Sequence, residues 1–467
     1  MLTVDALRHS EFAVLDRGGL PFRAIRGRPR STFIMYRVLA AVLAATMPTG
    51  VPHAEAALAP EAGTAEALSI STTLSGQIFT VERAYELAGV ASPSLEAALA
   101  EVHIAEAGNQ LARLRPNPMV TIDAENVTGS GLYRGAKSIE ATTSLTLPIE
   151  LGGKRPARIA VAGARTDRAT IQAAIAQVEL KFSVVRAYAE ATSAERRLAT
   201  AQDQARIAAE VLRAAKVRVQ AGQASPIEAE RANVARVNAD AALLREERAV
   251  EVARFTLSRV VGQPISGPLD ADWFSDVPTH HGPLQPIESA GTLAMAAVEA
   301  DVAIADAGMR LARSQRVPDL TLSAGARRFE QTNDTAAMFS VSIPIPLFNN
   351  GHAALNQAAA ERERADAQRR LTALEVDQAI ARAQADTANA ATSAATATGP
   401  ALAAAEEAAR LARIGYREGK YSQLDLFDAE RTLASTRATA IEALLSYHIA
   451  QAQLEQLTAR APALQGE

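Results

Sequence analysis

Residues 111–154 read LARLRPNPMVTIDAENVTGSGLYRGAKSIEATTSLTLPIELGGK, and a second copy of the same order of features begins at Leu311. In the first copy Leu111-Ala112-Arg113 ends a helical pattern, Pro118 breaks it, and Val120-Thr121-Ile122 opens an alternating apolar run. The second repeats each step with Leu311-Ala312-Arg313, Pro318 and Leu320-Thr321-Leu322. A loop rich in Gly and Ser, residues 128–137, leads to another alternating run at 139–147, closed by Pro148 and Leu151-Gly152-Gly153-Lys154. The second copy answers with 337–343, closed by Pro344, Leu347-Phe348-Asn349-Asn350 and Gly351.

At period two the first run places Val120, Ile122 and Ala124 on one face and Thr121, Asp123 and Glu125 on the other. The other runs divide alike, with Leu145, Leu322 and Phe339 among the apolar residues and Glu140, Arg327 and Ser340 among the polar ones. Extended into its flanks, each run reaches about the nine to eleven residues a tilted strand needs to cross a bilayer. Four strands of a soluble antiparallel sheet would show the same alternation. On the membrane reading, Asp123, Glu125, Glu140 and Arg327 face a pore and keep its lumen wet.

Outward from these runs the chain is helical. Thr80 caps a short helix, 81–88, that Gly89 stops, and Ser92-Pro93 opens another to Leu114. Residues 156–221 hold no proline beyond Pro156, and Ile171, Ile175, Val178, Phe182, Val185 and Ala189 recur at alternating spacings of four and three, a coiled-coil seam. At 1.5 Å per residue that helix is about 100 Å long. Gly222 stops it, and Ser225-Pro226-Ile227-Glu228 restarts a helix with a capping serine, a proline first and a glutamate third. The returning helix carries Val234, Val237, Ala241 and Leu244 and ends near Gly262.

A connector, 263–286, holds Trp273 and His280-His281. Adjacent histidines without carboxylate or thiolate partners read as polar linker residues rather than a metal site. The second half repeats the order, with a helix to Ser314, the strand pair, a long helix from His352 interrupted at Thr398-Gly399-Pro400, a stop at Gly419, a cap at Ser422 with Asp425 third, and a last helix to about Ala459. The expected divisions are a first repeat at 57–262 (strand pair 119–147, helical hairpin 156–261), a linker at 263–286, a second repeat at 287–460 (strand pair 319–343, hairpin 352–459) and a tail at 461–467.

The amino terminus differs. Residues 1–34 are Arg-rich, whereas Met35-Tyr36-Arg37, an apolar core at 38–47 and Ala54-Glu55-Ala56 follow the order of a secretory signal. We expect translation to start at Met35, or a long leader before the same signal, with cleavage near Ala56; an amphipathic tail of a cytosolic protein is the other reading. Of 467 residues only 4% are aromatic, which suits close packing of alanine-rich helices. A net charge of -4 gives no basic footprint, so nucleic acid is not an expected partner. With no cysteine, disulfides, thiolate ligands and cysteine-linked lipids are excluded. No nucleophile elbow, phosphate-binding glycine loop or zinc helix motif is present, so neither an enzyme nor a cofactor is expected.

Four strands cannot close a barrel or satisfy their edges in lipid, so several chains must share one. At these residues, over about 78–460, the sequence resembles an outer-membrane efflux channel of the TolC family. Arg115-Pro116-Asn117-Pro118 and Glu150-Leu151-Gly152-Gly153-Lys154-Arg155 resemble its heavy-metal branch, the cobalt-zinc-cadmium and copper channels. The resemblance implies a mainly α protomer with four membrane strands and two internal repeats. Three protomers then form a twelve-stranded barrel above a periplasmic helical tunnel, joined through an adaptor to an inner-membrane RND-type pump.

It also implies a periplasmic aperture narrowed by Asp425 and Asp428, with Tyr416 in its closing network, and adaptor contact at the hairpin tips Gly222, Ser225, Gly419 and Ser422. Tyr421 stands where some members carry arginine, so their salt-bridged closed state does not carry over. Asp425 reads equally as a helix cap matching Glu228, and Asp428 as part of a solvated face. A periplasmic coiled-coil adaptor without a pore, or a channel of the same fold for organic solutes, are the alternatives.

Overall fold

The computed structural model describes residues 78–277 and 287–462; the expected signal segment and His280-His281 lie outside them. Helices α1 (Val81–Ala91) and α2 (Pro93–Arg113) come first. Thr80 Oγ1 accepts from Arg83 N–H and Ser92 Oγ from Leu95 N–H. Gly89, expected to end α1, lies inside it. The break falls instead at Ser92, because the residue before a proline is pushed out of the helical region.

Strands β1 (Met119–Glu125), β2 (Glu140–Ile149), β3 (Leu320–Phe329) and β4 (Asp334–Ser342) form one antiparallel sheet in that order. The register gives lateral rows of Val120, Leu145, Ala324, Phe339 on one face and Asp123, Thr142, Arg327, Ala336 on the other. The apolar face is bare, with Phe339 84% exposed and Ile122 73%. Pro148, expected to close β2, is inside it, paired with Thr321. β1 reaches only as far as Thr146, so no β1 partner needs the N–H that Pro148 lacks. At Gly325 a Cβ would meet Thr143 O at 2.4 Å, so only glycine permits this approach of β2 and β3.

Helix α3 (Lys154–Gln220) spans 67 residues, with Pro156 in a first turn whose N–H groups have no helical partner. It is the axis on which α1, α2, α4 (Pro226–Val261), α6 (Leu293–Gln315) and α9 (Gln423–Thr458) pack. Ile171 is buried against Leu293, Ala297 and Ala300 of α6. Further along, burial moves to Leu180, Val184, Tyr188 and Ala191, against Val81 and Ala84 of α1 and Leu257 of α4. The expected seam is therefore only half-buried at Ile175, Val178, Phe182 and Val185, because partners on several sides leave no single stripe. On α4 the expected seam faces outward, with Val234 59% exposed and Val237 and Leu244 alike.

The connector is more than a linker. It contains helix α5 (Ala271–Ser275), capped by Asp270, and Phe274 is wholly buried among Ala189, Ala391, Ala394, Ile441 and Leu444. Tyr188 Oη donates to Phe79 O (2.5 Å) and accepts from Asp270 N–H (2.7 Å). Trp273 stacks on His448 at 4.2 Å, and His448 Nε2 donates to Phe274 O at 2.9 Å. Burial lowers the His448 pKa, against that carbonyl and Asp276.

Helix α7 (His352–Thr396) passes through a single π-helical stretch, Ala397–Ala401, into α8 (Leu402–Arg417). Thr398-Gly399-Pro400 thus widens one turn where the proline withholds its donor, and the helix continues. Among the described residues no helix is long and apolar enough to cross a membrane.

Candidate functional site

The two helical hairpins, α3–α4 and α8–α9, end side by side. Gly419, at φ +73°, reverses the chain after α8: Glu418, Gly419 and Lys420 N–H bond the carbonyls of Ile414, Tyr416 and Gly415. Ser422 Oγ then accepts from Asp425 N–H (3.2 Å), while Asp425 Oδ2 accepts from Ser422 N–H (2.9 Å) and Oγ–H (2.7 Å). This is a complete capping box. These bonds from Ser422 hold the Asp425 carboxyl below its ordinary range. Asp428, one turn on, is exposed and makes no ion pair among the described residues.

At the first tip Gly222 also has φ +73°, and Gly222 and Gln223 N–H bond Val219 O and Arg218 O. Ser225 makes no side-chain cap, contrary to expectation; Glu228 N–H bonds the Ser225 carbonyl instead. Pro226 at the first helical position already fixes the entry backbone, so α4 starts without the hydroxyl.

Between the tips lie Val211, Leu212, Ala215, Ala232, Ala412 and Leu426, with Tyr416 only 3% exposed. The Arg218 guanidinium sits 5.0 Å over the Tyr416 ring, a cation–π contact. Burial raises the Tyr416 pKa and Arg218 opposes it. Among the described residues, Tyr416 Oη, Arg218 Nη1 and Gln423 Oε1 are buried without a hydrogen bond of ordinary geometry, whereas Gln423 Nε2 reaches Glu228 O at 2.9 Å. Tyr421 lies flat against Gly415, where a Cβ would meet its ring at 2.1 Å. The structure thus brings Tyr416 together with Arg218 and places Asp425 and Asp428 outside that contact.

At the sheet, Arg327 Nη1 is 3.1 Å from Glu140 and 3.6 Å from Glu125, and its Nε donates to Thr142 Oγ1. Three of the four polar-face charges therefore form one cluster. Asp123 makes no ion pair among the described residues.

Sequence reasoning missed a clamp where strands meet helices. Arg158 grips Glu150 at 2.6 and 3.2 Å and donates to Ala112 O and Leu114 O. Lys154 pairs with Asp319 at 2.7 Å, and Leu151 N–H bonds the same carboxylate. The Arg158 hydrogen bond lowers the Glu150 pKa; at Asp319 burial works upward but Lys154 and Leu151 N–H prevail, and the net shift is downward. Gly152, at φ +70°, leaves no room for a Cβ beside Val317. The Glu150–Lys154 motif is thus a mechanical joint of α2, β2, α3 and β3. In the sequence these residues stood out only as a motif of family resemblance, Glu150 to Arg155, which named none of their partners. Among the described residues no three His, Asp or Glu side chains converge as a metal site would need.

With this geometry in view, similarity to known proteins is informative. The chain is 29% identical over 390 residues to the cobalt-zinc-cadmium resistance protein CzcC of Cupriavidus metallidurans, covering 82% of this chain and 90% of that one. It is 31% identical over 292 residues to the nickel and cobalt resistance protein CnrC of the same organism, covering 62% and 69%. In three dimensions it is similar to the transmembrane channel protein CusC (TM-score 0.67, 17% identity, 82% of this chain and 92% of that one). It is likewise similar to the outer membrane protein VceC of Vibrio cholerae (TM-score 0.65, 20% identity, 81% and 96%). The sequence pattern of outer membrane efflux proteins matches residues 84–263 and 289–460, and the chain belongs to the outer membrane efflux protein family.

Proposed function

We propose that three copies of this chain build the exit duct of a tripartite efflux system for heavy-metal cations, in which an RND-type inner-membrane pump selects cargo and a periplasmic adaptor joins pump to duct. One observation carries the duct: a four-stranded sheet with a bare apolar face, a charged polar face and, among the described residues, no partner strand beyond β1 or β4. Such a sheet is stable in lipid only when closed by other copies. The same association would cover the outward stripe Val234, Val237, Leu244 and Phe255 on α4. Metal cargo is supported by the likeness to CzcC and CnrC. The turns at Gly222, Ser225, Gly419 and Ser422 are the surface offered to the adaptor, and Asp425 and Asp428 form two acidic rings that narrow the aperture and favour cations.

The test is conductance of the purified protein in a planar bilayer, with metal sensitivity of cells lacking it. Steady cation-preferring conductance from a trimer is expected, together with raised sensitivity to zinc, cobalt or cadmium. A soluble protein without conductance would remove the duct. Sensitivity to organic toxins alone would reassign the cargo.

A further inference from the structure

The two strand-to-helix junctions differ in length and surface. In the first half four residues, 150–153, lead from the end of β2 into α3, with Glu150 turned to Arg158. In the second half nine residues, 343–351, lead from the end of β4 into α7. Of these, Ile343, Ile345, Leu347 and Phe348 are exposed, Phe348 completely. Ala337, Phe339 and Val341 form the apolar face of β4. Ile343 and Ile345 follow at the same odd-numbered spacing, and the chain then bends at Leu347 and Phe348.

Beyond Ser342 this segment pairs with no strand among the described residues, and its backbone has shed donors. Pro344 and Pro346 carry no N–H, Leu347 N–H bonds Ile345 O at 2.9 Å, and Asn349 and Asn350 side chains accept from Gly351 and His352 N–H. An extended segment that has lost donors can rest where water is scarce, at a cost that an ordinary unpaired strand could not avoid. A cation stands directly after the apolar row. Arg316 Nε donates to Asn350 O at 3.4 Å, and its Nη2 lies 3.1 Å from His352 Nε2.

We propose that residues 343–348 are an interfacial anchor, seated at the glycerol and upper acyl level of the membrane leaflet nearest the helices, with Arg316 at the level of the lipid phosphates. The occupant is lipid and not a second copy of the chain, because the segment prolongs the same face that the duct reading gives to lipid. The sequence of apolar row, aromatic ring and cation also matches the polarity gradient of that boundary. The anchor rests on the membrane placement proposed above, and the test separates the two.

The chain has no cysteine, so Phe348→Cys, Val341→Cys and Ile227→Cys each provide one labelling site. Each full-length protein is labelled with bimane and reconstituted in phosphatidylethanolamine–phosphatidylglycerol vesicles. These carry a nitroxide quencher either near the headgroup or near the acyl terminus. Phe348→Cys should lose more fluorescence to the shallow quencher, Val341→Cys more to the deep one, and Ile227→Cys, at the helical tip, to neither. Quenching at Val341→Cys with none at Phe348→Cys overturns the anchor and leaves the membrane placement standing. No quenching at either overturns both. Leu347→Cys, next to Phe348 at the same bend and itself exposed, repeats the measurement independently of the aromatic ring.

Discussion

The two helical tips reverse the chain at glycines with the same φ, yet they start their returning helices by different means. At the first, Pro226 sets the backbone and Ser225 is idle; at the second, Ser422 and Asp425 close a reciprocal box. The equivalent of exposed Asp428 is Arg231, so only the second tip offers two carboxylates on one face. The same contrast recurs at the far ends of the hairpins. The first junction is clamped by Arg158, whereas the second is shaped by prolines and asparagines. The halves share a chain path but secure its turns differently: Pro226 and the Arg158–Glu150 pair in the first, and the Ser422–Asp425 box with prolines and asparagine caps in the second.

The largest test of this contrast is at the junctions. Arg158→Ala strands a part-buried carboxylate and two carbonyls and should cost about 2 kcal/mol, whereas Arg316→Ala should cost under about 0.5 kcal/mol. Denaturant unfolding followed by helical signal compares them, and equal losses would break the distinction. Next come the caps. Ser422→Ala should lose about 1 kcal/mol and Ser225→Ala a few tenths at most; amide exchange in the first turns of α9 and α4 reads each tip separately.

Titration sharpens the comparison further. Asp425 is held below its ordinary range, so the contribution of its carboxylate is complete above the unfolded value of about 3.9 and is lost as pH falls through its lower folded value. His448 is also lowered, so its neutral form stabilises the docked α5 above about 6.5 and that stability declines as pH falls below it. On acidification, exchange should therefore rise in α5 before the α9 tip, and Asp425→Asn should abolish the later phase alone. The smallest effect on folding belongs to the double variant Asp425→Asn, Asp428→Asn, in which Ser422 remains. Its reversal potential in a salt gradient should shift toward zero while that of Glu228→Gln stays with the wild type. Identical potentials in all three would leave Asp425 as a helix cap and Asp428 as part of a solvated face.

Much of the path was legible because period-two and heptad patterns are local. The alternation around Val120 and Phe339 gave both faces of the sheet, and Gly222, Gly419 and Ser422 marked turns that need only neighbouring residues. What was not legible depends on partners far along the chain. Arg158 meets Ala112 and Glu150, and Lys154 meets Asp319, through contacts that no spacing rule relates. The apolar stripe on α4 was visible, but a stripe does not say whether its partner lies in the same chain. Trp273 stood in a Pro- and Gly-rich stretch, and its burial depends on His448, which local reasoning could not supply. At the second helical tip Tyr416 was picked out by resemblance alone, and its contact with Arg218 was hidden because Arg218 sits on a different hairpin.

The pairing of β2 with β3 has a further consequence, in time. Thr146 and Ser323 share a hydrogen bond at 2.9 Å although 177 positions separate them. Closing so long a loop is entropically costly and slow compared with the local winding of α3 and α4. The central seam of the sheet therefore has to wait until the second half has been made, and a chain ending before Leu320 can offer the membrane only a lone β1–β2 hairpin. Lone hairpins are marginal. The order of synthesis thus delays the greasy sheet until Ser342 has been made, and commitment to the bilayer has to wait for the second half of the chain.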